Sequence, residues 1–357
     1  MISPVLDHHF CILDTVHPMK DTRVIRKNTL ILAPLADISH AALRHLILDF
    51  GGCGYFFSEM ISATGIISKN QFEPYYEESA PVPEQLIFQI VGSTVDDITK
   101  AARLLAEKPV FGIDVNMGCT AHSITKLKAG IEWMDRPQEA QELMQELKRT
   151  VKGKSISAKI RLGRKADKQE LLSFCQGLQD GGADFITLHP RTRSQTLSRP
   201  SEWSWVSFLS EELDIPVIGN GDIKSGNSFC QKSRAGAQAY MIGRAAVQKP
   251  WIFHQIQCIQ QEGIFKRKID LFAVWQQFRE YLQEWQPEEF WATRAKRFLY
   301  YFCDNLKFSH LIRTAIYNAD SLEDIHKTLE NHFLSVPGER FLHVKESIPT
   351  CTPAPVL

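Results

Sequence analysis

The stretch NMGCTAHSITK, residues 116–126, ends an apolar run with Asn116 and places a lone Cys119 after a glycine. A free cysteine is often just a small buried hydrophobe, so its chemistry depends on its company. Lys159 and Arg161 stand two residues apart, which points both to one side of an extended segment. His189 and Arg191 flank a proline in HPR, Asn220, Gly221 and Asp222 form GNGD, and Gly243 and Arg244 lie in IGR. Ala33-Pro34, Glu59 and Gln89 also sit where apolar runs turn polar. Each has an ordinary explanation alone: Gln89 as a buried hydrogen-bonder, Asp222 as a helix N-cap, Glu59 as a solvated loop charge. Jointly they are hard to explain as packing.

Cations clustered without a convergent His/Asp/Glu set favour an organic anion over a metal, such as a reduced flavin whose negative charge develops near one ring edge. The glycines of GNGD and IGR let backbone N–H groups approach a phosphate, and Arg244 adds charge. Cys119 has two functional readings: a nucleophile needs an activated thiolate, whereas a proton donor keeps its proton until the transition state. With a hydride donor opposite, the thiol would protonate one carbon while hydride reaches its neighbour. That reaction reduces an activated C=C bond.

Such residues need a scaffold, and eight apolar runs supply one: 29–35, 55–62, 85–92, 111–118, 155–163, 184–190, 215–222 and 239–245. Most are followed by helix-compatible stretches, including 39–50, 94–107, 137–152, 168–180 and 225–235. Near-continuous apolar strands alternating with helices predict a parallel sheet covered on both faces, and eight units predict a closed (β/α)8 TIM barrel of class α/β over 29–262. Its active face lies at the C-terminal strand ends, where the polar residues fall. The connection 65–84 is expected to cross the barrel mouth without a regular helix.

Beyond residue 262 the apolar spacing is helical and no strand signal appears, so 265–345 is expected to be a small helical bundle. Trp291, Phe298, Tyr301 and Phe302 are assigned to its core. Arg294, Lys296, Arg297, Lys307 and Arg313 form a local basic cluster that could meet phosphates or be a solvated face. The N-terminal extension 1–28 and the tail 346–357 are expected to be poorly ordered.

With 41 basic against 41 acidic residues, no global field steers a polyanion, and a nucleic-acid partner would need a local patch. No export signal or long apolar run is visible, and the eight cysteines include no C-x-x-C pair. A cytoplasmic monomer without a zinc site, a disulfide framework or a membrane segment is expected.

The ordered series APL, SEM, FQIVG, IDVNMGC, AKIRLG, HPRTR, IPVIGNGDI and MIGRAAVQKPWIF resembles the tRNA-dihydrouridine synthases from about residue 29 to 256, and more loosely through the helical tail. The resemblance implies an FMN-dependent barrel with a C-terminal helical RNA-binding domain, drawing electrons from NADPH to reduce the C5–C6 bond of particular uridines. It implies Cys119 as the proton donor to C5. Ala33, Pro34, Gln89, Lys159, His189, Asn220, Gly221, Asp222, Gly243 and Arg244 would hold the flavin, while Asn116, Arg161, Arg191, Lys296 and Arg297 would meet the RNA, either tRNA or ribosomal RNA. The base would have to be extruded from the RNA fold. Thr120 departs from the family's usual proline after the cysteine, Pro190 from a usually small residue, and Ala295-Lys296-Arg297 from an Arg-Lys-His stretch. The competing readings are an FMN barrel reductase of a free small molecule, similar to dihydroorotate dehydrogenase, and a non-catalytic RNA-binding module.

Overall fold

A computed structural model describes residues 25–348; the expectations for 1–24 and 349–357 lie outside it. Eight parallel strands close into a barrel in sequence order: β1 Thr29–Leu32, β2 Tyr55–Ser62, β3 Leu86–Val91, β4 Gly112–Met117, β5 Ser155–Ile160, β6 Phe185–Leu188, β7 Val217–Asn220 and β8 Ala239–Ile242. The helices between them are α1 Ala41–Phe50, the short α2 Ala63–Ser68 and α3 Glu73–Tyr76, α4 Val95–Ala106, the short α5 His122–Thr125, α6 Pro137–Thr150, α7 Lys168–Asp180, α8 Ser204–Glu212 and α9 Gly226–Ser233. The connection expected to cross the barrel mouth irregularly thus contains two short helices. Local chemistry sets several starts: Thr94 accepts from the Asp97 N–H ahead of α4, Asp167 from Gln169 and Glu170 ahead of α7, and Ser225 forms a reciprocal capping box with Ser228.

The barrel interior is layered along each strand. Its lower layer is apolar, with Ile31, Phe57, Ile87, Phe185, Ile218 and Ala239 in one cluster. Strand pleating returns every second side chain to the interior. Two steps above Ile87 comes Gln89, four above Phe185 comes His189, and two above Ile218 comes Asn220. The floor is therefore dry and the upper layer polar.

After β8 the chain forms α10 Arg244–Gln248 and α11 Ile252–Glu262, then β9 Ile264–Asp270, α12 Leu271–Trp285, α13 Glu288–Phe302, α14 Ser309–Tyr317, α15 Leu322–Ser335 and β10 Phe341–Ser347. The expected bundle is present but is framed by a ribbon that helical periodicity does not announce. Strand β9 pairs antiparallel with β10 from Ile264↔Ser347 to Asp270↔Phe341. The tail expected from 346 onward thus begins with two paired residues.

The helical segment is welded to the barrel through aromatic and ionic contacts. Phe278 on α12 stacks on Phe298 of α13 with ring centroids 3.9 Å apart and lies 6.0 Å from the His40 ring ahead of α1. His45 stacks on Trp285, and the Tyr281 hydroxyl donates to Asp49 at 2.8 Å. Phe298 and Phe302 are core residues as expected, while Trp291 and Tyr301 are half-buried.

Candidate active site

A cavity of about 620 Å³ opens at the C-terminal strand ends, a size within the range of ligand pockets. Its wall includes Ala33, Pro34, Gln89, Asn116, Cys119, Lys159, Arg161, His189, Asn220, Gly221, Asp222, Gly243 and Arg244. These residues, spread over more than 200 positions of the chain, meet because every strand delivers its end to one face.

Cys119 carries a free thiol and is held from two sides. Asn116 Oδ1 accepts from the backbone N–H of Cys119 at 2.9 Å and of Gly118 at 3.2 Å. From behind, Ile131 N–H donates to the Cys119 carbonyl at 3.0 Å. Gly130 makes this approach feasible: its φ is +64°, and a Cβ there would sit 2.6 Å from the Cys119 carbonyl oxygen. The loop is therefore fixed by hydrogen bonds although Thr120 lacks a proline's rigidity.

Asn116 is itself oriented from below. Its Nδ2 donates to Gln89 Oε1 at 2.8 Å, Gln89 Nε2 donates to Asp114 Oδ2 at 2.7 Å, and Ser157 Oγ donates to Asp114 Oδ1 at 2.6 Å. When ionised, Asp114 only accepts, which fixes which end of each amide faces which neighbour. Asp114 is wholly buried, and burial pushes its pKa up to about 7 against the opposing Ser157 and Gln89 hydrogen bonds and the Lys159 charge. Asp114 and Ser157 did not stand out in the sequence; their signal is two polar residues in apolar runs, each two positions before a site residue.

Lys159 lies next to this network, its pKa brought down to about 8 by burial first and by Arg161 second. Among the described residues no carboxylate comes within 4.0 Å of its ammonium. Arg161 donates to the Thr192 carbonyl at 3.3 Å. His189 Nε2 lies 2.6 Å from Arg191 Nη1. A guanidinium can only donate, so Nε2 accepts and the remaining ring proton is on Nδ1. Burial, followed by the Lys159, Arg161 and Arg191 charges, drives the imidazole pKa down to about 2, so the ring stays neutral.

Arg191 differs from its expected substrate contact. It is fully buried, and its guanidinium bonds the Arg199 carbonyl, His189 and Asp222 Oδ2, the last at 2.7 Å. The side chain braces the wall from inside. Burial would raise the Asp222 pKa, but Arg191 and the Ser201 hydrogen bonds outweigh it and hold the carboxyl down to about 2. Asp222 therefore remains an anion whose charge is taken up by Arg191, with Arg244 3.8 Å away.

Glu59 departs further. A register shift between Phe57 and Met60 in β2 turns Met60 to the cavity and Glu59 to Arg294 of α13, at 2.8 Å. Both partners are buried, and the Arg294 guanidinium also lies over the Phe290 ring at 4.9 Å. A bulge re-aims a side chain in this way. The basic cluster expected on the helical segment is correspondingly thinned: Arg294 is interior, Lys296 donates to the Tyr317 carbonyl, and Arg313 is paired with Asp304. Arg297 remains outward, 3.7 Å from Asp37, and Lys307 is exposed. Tyr300, 60 % exposed, sits on the cavity rim with Tyr301, Asp304 and Arg313. Sequence periodicity drew attention to its neighbours instead.

The donor set fits a phosphorylated flavin. Lys159 is a half-buried cation with no carboxylate within 4.0 Å among the described residues, and Gly221 at φ +129° keeps its backbone where a Cβ would meet Ser201 and His189 at 3.0–3.1 Å. No cluster of metal-ligating side chains occurs among the described residues.

Comparison with known proteins agrees with this geometry. The family model "Dihydrouridine synthase (Dus)" matches residues 31–302, the barrel from the middle of β1 onward and the first part of the helical segment. The chain belongs to the dihydrouridine synthase family. A probable tRNA-dihydrouridine synthase of Aquifex aeolicus is 28% identical over 320 residues, covering 85% of this chain and 96% of that protein. tRNA-dihydrouridine synthase B of Vibrio cholerae is 32% identical over 256 residues, covering 70% of this chain and 77% of its own length. For a dihydrouridine synthase the cavity is in the expected place, and no described helix is long and apolar enough to cross a membrane.

Proposed function

We propose that this protein reduces the C5–C6 bond of particular uridines in tRNA to dihydrouridine, with FMN as cofactor and NADPH as electron donor. The observation that carries the reading is one cavity lined by a clamped free thiol, a neutral imidazole and an ammonium with no carboxylate within 4.0 Å among the described residues. Bound there, reduced FMN supplies hydride to uracil C6.

The protein's residues supply the rest. Cys119 holds its proton on Sγ and delivers it to C5 as the uracil gains hydride; the thiolate left behind recovers a proton from water. Asn116, fixed through Gln89, Asp114 and Ser157, keeps the thiol loop at one height above the floor. Lys159 provides a positive charge for the anionic edge of the flavin, and neutral His189 offers Nδ1–H as a donor. Asn220, Gly221, Gly243 and Arg244 would hold the phosphate, and Arg161 would meet the base. Tyr300 and Tyr301 on the rim would offer aromatic surface to an RNA segment entering the cavity.

The reading is tested by reducing the FMN-loaded protein without oxygen and mixing it with unmodified tRNA. Flavin reoxidation matched by dihydrouridine in the RNA is expected. Reoxidation by a free pyrimidine such as orotate, but not by tRNA, would reject it.

A further inference from the structure

The β9–β10 ribbon has one face that no step above uses. The register pairs Lys266 with Lys345 and Lys268 with His343, all four exposed and on the same side. The opposite face carries Phe265, Ile269, Leu342 and Val344, which pack against the body, and Glu346, whose carboxylate accepts from the Gly226 and Asn227 N–H groups that open α9. Like charges directly opposite each other on a ribbon destabilise it. Here the repulsion is unrelieved: among the described residues no carboxylate lies within 4.0 Å of Lys266, Lys268 or Lys345. The one acid on this face, Asp270, is committed to the Arg340 guanidinium at 2.7–3.0 Å. Lysines do guard exposed strand edges, but guarding an edge does not require them to face each other across the pair.

We propose that this lysine face is a second contact for the tRNA, gripping its phosphate backbone beside the catalytic cavity. The inference rests on the function proposed above. Side chains two apart on a strand stand about 6–7 Å from one another, and cross-strand neighbours about 5 Å. The result is a compact set of ammonium groups suited to a run of phosphates and offering nothing that reads bases. The ribbon adjoins the site through its anchor, since Glu346 holds Gly226 two residues beyond Lys224 on the cavity wall. An RNA fits this face better than a lipid surface does: its two exposed apolar side chains, Ile264 and Phe341, stand singly at opposite ends with the lysines between them, and Phe341 lies under the Lys268 ammonium at 4.0 Å, so they form no contiguous apolar patch for insertion.

The test compares the FMN-loaded full chain with Lys266→Gln/Lys268→Gln/Lys345→Gln in binding unmodified tRNA across a salt series. The expected result is a roughly 10- to 50-fold weaker affinity near physiological salt and a slope of log affinity against log salt shallower by about 2. The Lys→Arg triple should keep both. Flavin content should be unchanged and the melting temperature unchanged or raised, because the substitutions remove repulsion. Equal affinity and slope in wild type and Gln triple would overturn the ribbon's role while leaving the proposed reaction standing. Wild type that does not bind tRNA even at low salt would remove the reaction and the ribbon's role together. Lysine-dependent sedimentation with phosphatidylserine–phosphatidylcholine vesicles, with tRNA affinity unaffected, would reassign the face to a membrane.

Discussion

Cys119 is a proton donor only if its backbone stays where Asn116 and Ile131 hold it. Replacing Cys119 with Ala should leave FMN bound and lower turnover by about 10² to 10⁴, the usual contribution of a placed general acid; flavin absorbance and single-turnover rates measure the two separately. Full activity in that variant would remove the role. Asp114→Asn keeps the shape but puts a donor where Gln89 and Ser157 already donate, so the amide chain to the thiol loop loses its fixed orientation. A loss of roughly 10² in kcat with flavin still bound is expected, as for a small misplacement of a reacting group. Lys159 gives a pH dependence whose sign follows from its depressed pKa. Below about 8 the ammonium is charged and attracts an anionic ligand; above it, binding must supply the proton. FMN affinity should therefore weaken as pH rises through about 8, whereas His189, neutral from about pH 2 upward, contributes no inflection near 6 to 7. Titration of the apoprotein with FMN between pH 6 and 10 checks both.

At the scale of elements, the barrel strands were legible because parallel strands buried on both sides are near-continuous apolar runs, and all eight appear within a few residues of their expected limits. The strand-end residues were legible for the same reason, each being a polar break in such a run. Glu59 misled because a bulge in β2 adds one residue to the period of two, and nothing in SEM marks it. The ribbon was hidden because IFKRKID alternates weakly and its partner lies some 70 residues on, with no hairpin turn between them. Gly130 was illegible for a different reason: its need for a positive φ arises from contact with Cys119, which sequence distance conceals. Gly130→Ala should displace the thiol loop and reduce turnover more than it reduces FMN affinity. The Glu59–Arg294 pair belongs to this scale as well, since it ties β2 to α13. Arg294→Ala leaves a buried carboxylate unpaired and should cost about 3–5 kcal/mol in chemical denaturation, while replacing both partners by apolar residues of similar volume should cost far less.

For the whole molecule, a formal charge of zero means that recognition of a polyanion rests on local surfaces. Two such surfaces follow the barrel in sequence: the rim on α13 with Tyr300 and Arg297, and the lysine face of the ribbon. Under the proposed function a base would leave its stack to reach Cys119 on the cavity wall. The helical segment is joined to the barrel through the His40–Phe278–Phe298 ring contacts and the buried ion pair, so an RNA bound as proposed would meet a single surface. The most direct measurement is position-resolved nucleoside mass spectrometry of tRNA and ribosomal RNA from a host lacking its own dihydrouridine synthases and expressing this chain. Dihydrouridine at a defined set of tRNA positions, absent when Cys119→Ala is expressed instead, is the predicted result. Full-length, flavin-loaded protein with no dihydrouridine in any tRNA would contradict it.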